Sequence, residues 1–105
     1  MANYRETDVK HDENQKMFYI QLKNCDKKAF LQYEKSDQKN YDLWHTEVPE
    51  ECRGQGVAGI LASKSIQQLA NENPTSKIIL TCSYLQHFYK KNQSEKFKQY
   101  ENIQI

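Results

Sequence analysis

The sequence predicts an α+β fold: a mostly antiparallel sheet with one long helix, a short C-terminal helix and an α/β-type crossover at its core. Three observations carry that reading. Three short segments rich in Tyr, Phe, Ile and Leu succeed one another between residues 16 and 48, separated by polar turns. From Val57 to Glu72 the apolar spacing changes to three and four, the period of an amphipathic helix. After that helix comes Ile78-Ile79-Leu80, an unbroken aliphatic run of the kind found in strands covered on both faces.

Residues Met1 to Gln15 are charged and polar, with a single valine. Such a segment has too little apolar surface to offset its ordering entropy, so 1–15 is expected to be loose and 16–105 to form a single domain. Lys16 to Leu22, with Phe18, Tyr19 and Ile20, reads as the first strand. Asn24-Cys25-Asp26-Lys27 is a turn by composition. The second strand is Ala29 to Glu34, where Phe30, Gln32 and Glu34 alternate against Leu31, Tyr33 and Lys35. Ser36 to Asn40 is polar, and the third strand, Tyr41 to Val48, stops at Pro49, which has no N–H to give a ladder. Short connections make these three an antiparallel meander. In the helix, Ala58, Leu61, Ala62, Ile66, Leu69 and Ala70 share one side, Lys64, Gln67, Gln68, Asn71 and Glu72 the other, and Asn73-Pro74 ends it. Lys77 to Cys82 is the fourth strand, and Tyr84 to Asn92, with Leu85, Phe88 and Tyr89 apolar, the short second helix. Ser94 to Ile105 shows no firm pattern and reads as a short turn or helix packing Phe97 and Tyr100. The strand–helix–strand unit calls for a crossover that lays the long helix on one sheet face.

A length of 105 residues is one domain by size. Hydrophobic residues are 37% of the chain and the mean hydropathy is −1.00, yet 7 Tyr, 4 Phe and 1 Trp suffice for one compact core. Lys+Arg of 15 against Asp+Glu of 14 leaves a net charge of +1, which argues against general nucleic-acid binding. Lys90-Lys91 with Lys96 and Lys98 reads as a solvated helix face. Cys25, Cys52 and Cys82 include no C-x-x-C pair, and His11, His45 and His87 are scattered, so no metal site is expected. An odd number of cysteines without a signal peptide fits reduced thiols and a cytoplasmic location, or a nuclear one. No apolar run approaches the about 18 residues of a membrane helix, so no membrane partner is expected.

The most informative stretch is Val48-Pro49-Glu50-Glu51-Cys52-Arg53-Gly54-Gln55-Gly56-Val57-Ala58. It leads from a strand through a turn into the first turn of the long helix. Glycines beside a basic residue at a helix start leave backbone N–H groups bare, where the helix dipole also favours an anion. A Cβ at Gly54 or Gly56 would hold a phosphate off those amides, so the stretch reads as a candidate diphosphate cradle. Gly54, Gly56 and Gly59 spell G-x-G-x-x-G, the dinucleotide fingerprint. That reading needs an acidic residue about 20 residues on, whereas the next strand ends Leu80-Thr81-Cys82. Arg53, Gly56 and Ala58 spell R-x-x-G-x-A, which resembles the coenzyme A pyrophosphate loop of the GNAT acyltransferase superfamily. A tight strand-to-helix turn with no ligand is the remaining reading.

Residues 41–92 resemble the small single-domain GNAT-like proteins known as N-acetyltransferase domain-containing proteins. Three blocks carry the resemblance: Leu43-Trp44-His45-Thr46-Glu47-Val48-Pro49, Arg53 to Ala58, and Cys82-Ser83-Tyr84. It implies a minimal GNAT-like fold with acetyl-CoA or coenzyme A as cosubstrate. The pyrophosphate would lie on the backbone of Arg53, Gly54, Gln55, Gly56, Val57 and Ala58. Thr46, Glu47 and Val48 would pair with the pantetheine amides like an added strand, and Ser83 and Tyr84 would complete the binding set. The implied activity is acetyl transfer to an amine acceptor, a small molecule or a protein. A coenzyme A-binding module without efficient transfer is the alternative, because the N-terminal helices that line the acceptor site in larger GNAT enzymes have no counterpart here.

Five side chains carry candidate chemistry. The resemblance implies a cysteine beside the acyl group at Cys82, whose thiol at a strand end can accept an acyl group; filling space is its structural alternative. His45 is the candidate base, since imidazole titrates near neutrality, with a hydrogen-bonded structural histidine as the other reading. Its face is expected to hold Leu43 and Glu47, opposite Asp42, Trp44 and Thr46. Glu47 is the alternative base. Tyr84 can protonate a leaving thiolate, as can Tyr89, unless both simply pack.

Overall fold

A computed structural model describes residues 4–23, 26–37, 39–50, 53 and 56–105. Its strands are β1 (Lys10–Asp12), β2 (Met17–Gln21), β3 (Lys28–Lys35), β4 (Tyr41–Glu47), β5 (Ile78–Leu80) and β6 (Ile103–Gln104). Helix α1 (Val57–Glu72) lies between β4 and β5, and α2 (Ser83–Lys96) between β5 and β6. The strands form one sheet in chain order, antiparallel from β1 to β4 and parallel from β4 to β6. The expected α+β class, with its crossover, is the fold the chain adopts.

Register explains why one face of the sheet holds the core. Phe18 pairs with Leu31 and Ile20 with Ala29; Tyr41 and Leu43 pair with Ile78 and Leu80, and Ile78 with Ile103. All of these are buried in one cluster with Val57, Leu61, Ala62, Ile66, Leu69 and Ala70 of α1 and Leu85 of α2. Both helices therefore sit on the same side. A fully buried Leu, Ile or Phe contributes about 1.5–3 kcal/mol, so this one layer dominates stability. The opposite face carries Tyr19, Phe30, Gln32, Asp42 and Ile79, all only partly buried, and no helix covers it among the described residues.

Both helices end for local reasons. Asn73 stops α1: its backbone N–H and its side-chain Nδ2 both donate to Leu69 O, at 3.0 and 2.9 Å. Helix α2 runs past the expected Asn92 to Lys96, until Phe97, 1% exposed, turns into the core against Phe88 and Tyr89.

Two segments depart from expectation. Within 1–15, expected to be loose, a 3-10 turn (Glu6–Asp8) leads into β1, and Tyr4 and Val9 are buried. The polar groups there have specific partners: Lys23 N–H donates to Tyr4 Oη at 2.9 Å, and Ser63 Oγ donates to Glu6 Oε2 at 2.7 Å. At the other end, the C-terminal tail adds β6. Asn102 holds it in place, its Nδ2 donating to the carbonyls of Ala70, Asn73 and Ser76 at 3.0 to 3.3 Å.

A His–Tyr pair lies under the β1 edge. His11 stacks on Phe18 with ring centroids 4.0 Å apart, and its Nε2 lies 2.6 Å from Tyr33 Oη. Burial lowers the His11 pKa, against the pull of Glu13, Glu72 and Asp12, and raises that of Tyr33 from 10.0 to about 12. The unfolded chain then loses the Tyr33 proton before the folded chain does. The stability this contributes is complete below about pH 10 and disappears as pH rises toward 12. For His11 the sign is opposite: its contribution is present above about pH 6.5 and is lost as pH falls. Thermal melts across pH should show both limbs, with Tyr33→Phe flattening the alkaline one; a melting temperature unchanged from pH 9 to 12 would contradict this assignment.

Candidate active site

The site starts from a strand that outruns its neighbour. β4 pairs with β5 only through Tyr41, Asp42 and Leu43. Beyond that point the N–H groups of Thr81 and Cys82 both donate to Leu43 O, at 3.1 and 3.0 Å, and the chain turns away into α2. Residues 44–47 thus have β3 on one side and, among the described residues, no strand on the other. A free strand edge presents unpaired N–H and C=O groups that an extended, amide-bearing chain can pair with.

On the β3 side, Gln32 pairs with His45 but Tyr33 with Leu43. Trp44 is therefore the extra residue of a β-bulge, which bends the strand and re-aims the residues after it. His45 and Glu47 pair with Gln32 and Phe30 on the open face, while Thr46 pairs with Leu31 on the helix face. This corrects the expected alternation: His45 and Glu47 do not share a face with Leu43, because one inserted residue inverts the period-two pattern. Trp44 stacks on His45 with centroids 5.3 Å apart and remains 43% exposed. Glu47 Oε1 lies 3.3 Å from His45 Nε2.

Cys82 is the N-cap residue of α2. Its Sγ donates to Thr46 Oγ1 at 3.7 Å, so the half-buried thiol sits in the wedge between the free edge of β4 and the start of α2. Thr46 is its hydrogen-bond partner, and among the described residues no imidazole or carboxylate bonds it. The structure brings Cys82 and Thr46 together, then, and leaves His45 on the opposite face. Ser83, the first residue of α2, is exposed. The Tyr84 hydroxyl lies 3.9 Å from where a Gly59 Cβ would be, linking the start of α2 to the start of α1. Burial first, and then the neighbouring Cys82, raise the Tyr84 pKa, so its phenol keeps its proton at neutral pH.

Helix α1 begins at Gly56 with φ of 72° and no side-chain cap. That left-handed conformation is the reason for glycine here, since L side chains strain in it. The first helical bond runs from Ile60 N–H to Gly56 O at 3.2 Å, so the N–H groups of Val57, Ala58 and Gly59 have no intrahelical partner. Among the described residues nothing beyond its chain neighbours lies within 4 Å of where a Gly56 Cβ would be. The uncapped donors and that open space fit a diphosphate. Arg53 Nε donates to Val48 O at 3.2 Å and its backbone N–H to Glu50 O at 3.3 Å, fastening the loop to the end of β4. Gly54 and Gln55 lie outside the described residues, as do Cys25 and Cys52.

The third glycine separates the two loop patterns. In a dinucleotide fingerprint it serves close helix-to-strand packing, but a Cβ at Gly59 would meet Phe88 of α2 at 3.6 Å, an ordinary contact. A groove of about 390 Å³ lined by Lys27, Glu47, Val48, Pro49, Glu50 and Arg53 flanks the free edge. Sequence reasoning missed Trp44 and Phe30 as site residues, because the bulge that gathers them around His45 leaves no compositional mark.

Comparison with known proteins covers this whole region. The family model described as GCN5-related N-acetyl-transferase matches residues 17–100, from β2 to beyond α2. The chain is 39% identical over 84 residues to Protein NATD1 of Xenopus tropicalis, a match covering 80% of this chain and 75% of that protein. It is 42% identical over 84 residues to Protein NATD1 of Danio rerio, covering 80% and 74%. For Protein NATD1 of Homo sapiens the identity is 38% over 84 residues, covering 80% and 73%. The chain therefore belongs to the GCN5-related N-acetyltransferase family, and its mixed six-stranded sheet with two helices is a GNAT-like fold.

Proposed function

We propose that this protein binds acetyl-CoA, or a related acyl-CoA, across the end of β4 and transfers the acyl group to an amine. One observation carries the reading: two unfilled backbone surfaces, the uncapped start of α1 and the free edge of β4, flank Cys82 and Tyr84. In this reading the N–H groups of Val57, Ala58 and Gly59 receive the pyrophosphate, with Arg53, Gly54, Gln55 and Gly56 forming the rest of the loop. Thr46, Glu47 and Val48 pair with the pantetheine amides, and Ser83 lines the mouth of the wedge.

Bound acetyl-CoA supplies a thioester whose carbonyl carbon is the electrophile. Thr46 and Cys82 line the thioester from the helix side and exclude water from it. His45, steadied by Glu47, takes the proton of the arriving ammonium and leaves a nucleophilic amine. The new C–N bond forms as the C–S bond breaks, and the nitrogen gives up its second proton to solvent. Tyr84 gives its proton to the departing thiolate and regains one from solvent. In sum, ammonium and acetyl thioester become amide, thiol and one released proton.

The separation of His45 from Cys82 favours a second reading, a coenzyme A-binding module without efficient transfer. A thermal shift with coenzyme A and acetyl-CoA tests what the two share. At about a hundredfold excess over Kd, linkage raises stability by roughly 2.7 kcal/mol, on the order of 10 °C for a domain this size. Release of free coenzyme A thiol in the presence of amines then separates enzyme from module. No shift at millimolar coenzyme A would overturn both.

A further inference from the structure

The open face of the sheet carries a contact chain of four side chains. The His45 ring stacks on Trp44 at 5.3 Å, tilts against Phe30 at 6.0 Å, and lies 3.3 Å from the Glu47 carboxylate. His45 covers part of the indole, yet Trp44 remains 43% exposed, a large aromatic surface left to water. Elsewhere this protein places its own ammonium groups over aromatic rings. Lys23 Nζ lies 5.1 Å from the Tyr4 ring centre, Lys28 Nζ 5.0 Å from that of Tyr19, and Lys35 Nζ 5.4 Å from that of Tyr41. Trp44, whose indole is the strongest cation–π partner of the three ring types, has no such ammonium among the described residues. Its stacking partner His45 bonds the Glu47 carboxylate, on a strand whose other edge is free of a paired strand among the described residues.

We propose that Trp44 and Glu47 hold the acceptor as a primary alkylammonium ion, the group presented by a lysine side chain or a free polyamine. The cation lies on the exposed indole face, the Glu47 carboxylate fixes its charge, and Phe30 supports the alkyl stem. Held there, the amine is adjacent to His45 and next to the gap between β4 and α2. A neutral group of the same shape keeps the apolar contact and loses both charge terms, so the platform selects by charge. The inference rests on the acyl-transfer reading only in calling the bound amine an acceptor.

Because Trp44 is the one tryptophan of the sequence, its fluorescence and its single indole N–H proton resonance report binding without coenzyme A. Nα-acetyl-lysine methylamide and putrescine should each give saturable changes in both signals, and the relative affinities of the two identify the source of the ammonium. Nα-acetyl-norleucine methylamide, the neutral isostere, should bind at least about fivefold more weakly. Glu47→Gln should weaken the lysine probe by about threefold or more while leaving the melting temperature unchanged, since Glu47 is exposed. Equal responses to lysine and norleucine probes, no response to either amine, or an unaltered affinity in Glu47→Gln would overturn the proposal. Amine binding without any coenzyme A response would overturn the acyl-transfer reading and leave the ammonium platform standing; a coenzyme A response without charge selectivity would do the reverse.

Discussion

Gly56→Val is expected to weaken coenzyme A binding by about two orders of magnitude, roughly 2.8 kcal/mol. Gly56 sits at φ of 72°, and among the described residues nothing beyond its chain neighbours lies within 4 Å of its missing Cβ. A valine there does two separate things. Its β-branched side chain resists the left-handed conformation, at a cost of about 1–3 kcal/mol. It also fills the open space in front of the N–H groups of Val57, Ala58 and Gly59, pushing a phosphate out of hydrogen-bond range. Calorimetric titration with coenzyme A reads the second effect, and thermal melting reads the first. Gly59→Ala is the control within the same helical turn. Its Cβ would make only ordinary contacts, with Phe88 and the Tyr84 hydroxyl, so binding should persist and stability should rise by up to about 1 kcal/mol from helix propensity. Equal coenzyme A affinity in Gly56→Val and the parent would move the cradle elsewhere.

His45→Gln is expected to lower turnover by on the order of a hundredfold or more, with coenzyme A affinity unchanged, whereas Cys82→Ala should cost less than about tenfold, below the range for loss of a general base. The difference arises from the bulge. Trp44, as the inserted residue, turns His45 and Glu47 to the open face, where an amine can arrive. Cys82 faces Thr46 in the wedge, with a hydroxyl as its partner. In the proposed arrangement it lines the thioester, and among the described residues no base bonds it to make it the nucleophile. An acyl-enzyme route makes the opposite prediction. Incubation with acetyl-CoA would then add one acetyl mass to the intact protein, labile to hydroxylamine. Cys82→Ala would remove that adduct, and Cys25→Ala and Cys52→Ala would not. Observing that pattern would make Cys82 the nucleophile and reduce His45 to a structural partner of Trp44.

Most of the fold is legible in the sequence wherever a period repeats often enough to register. Helix α1 runs from Val57 to Glu72 as its apolar spacing predicts, with Gly56 and Asn73 at its ends. β3 is legible from the alternation of Leu31 and Tyr33 with Phe30 and Gln32. β1 and β6 are not, because three and two residues are too short to show alternation. β1 also lies in a polar stretch anchored by single contacts of Tyr4, Glu6 and Val9 rather than by a pattern. For the candidate site, the end of β4 before Pro49 and the start of α1 after Gly56 could be read, because glycine and proline constrain backbone locally. The faces of β4 could not. A bulge is set by how β4 fits against both β3 and β5, and one extra residue at Trp44 inverts every assignment after it.

The central claim is that coenzyme A lies over the start of α1 and along the free edge of β4. Backbone amide chemical shifts, tracked by two-dimensional NMR during a coenzyme A titration, test it residue by residue. The account predicts saturable shifts at Gly56, Val57, Ala58 and Gly59, and at Thr46, Glu47 and Val48, with Cys82 and Tyr84 moving in step. The amides of His11, Tyr33 and Asn73, at the far end of α1, should stay still. Shifts confined to that far end, or none at millimolar coenzyme A, would contradict it.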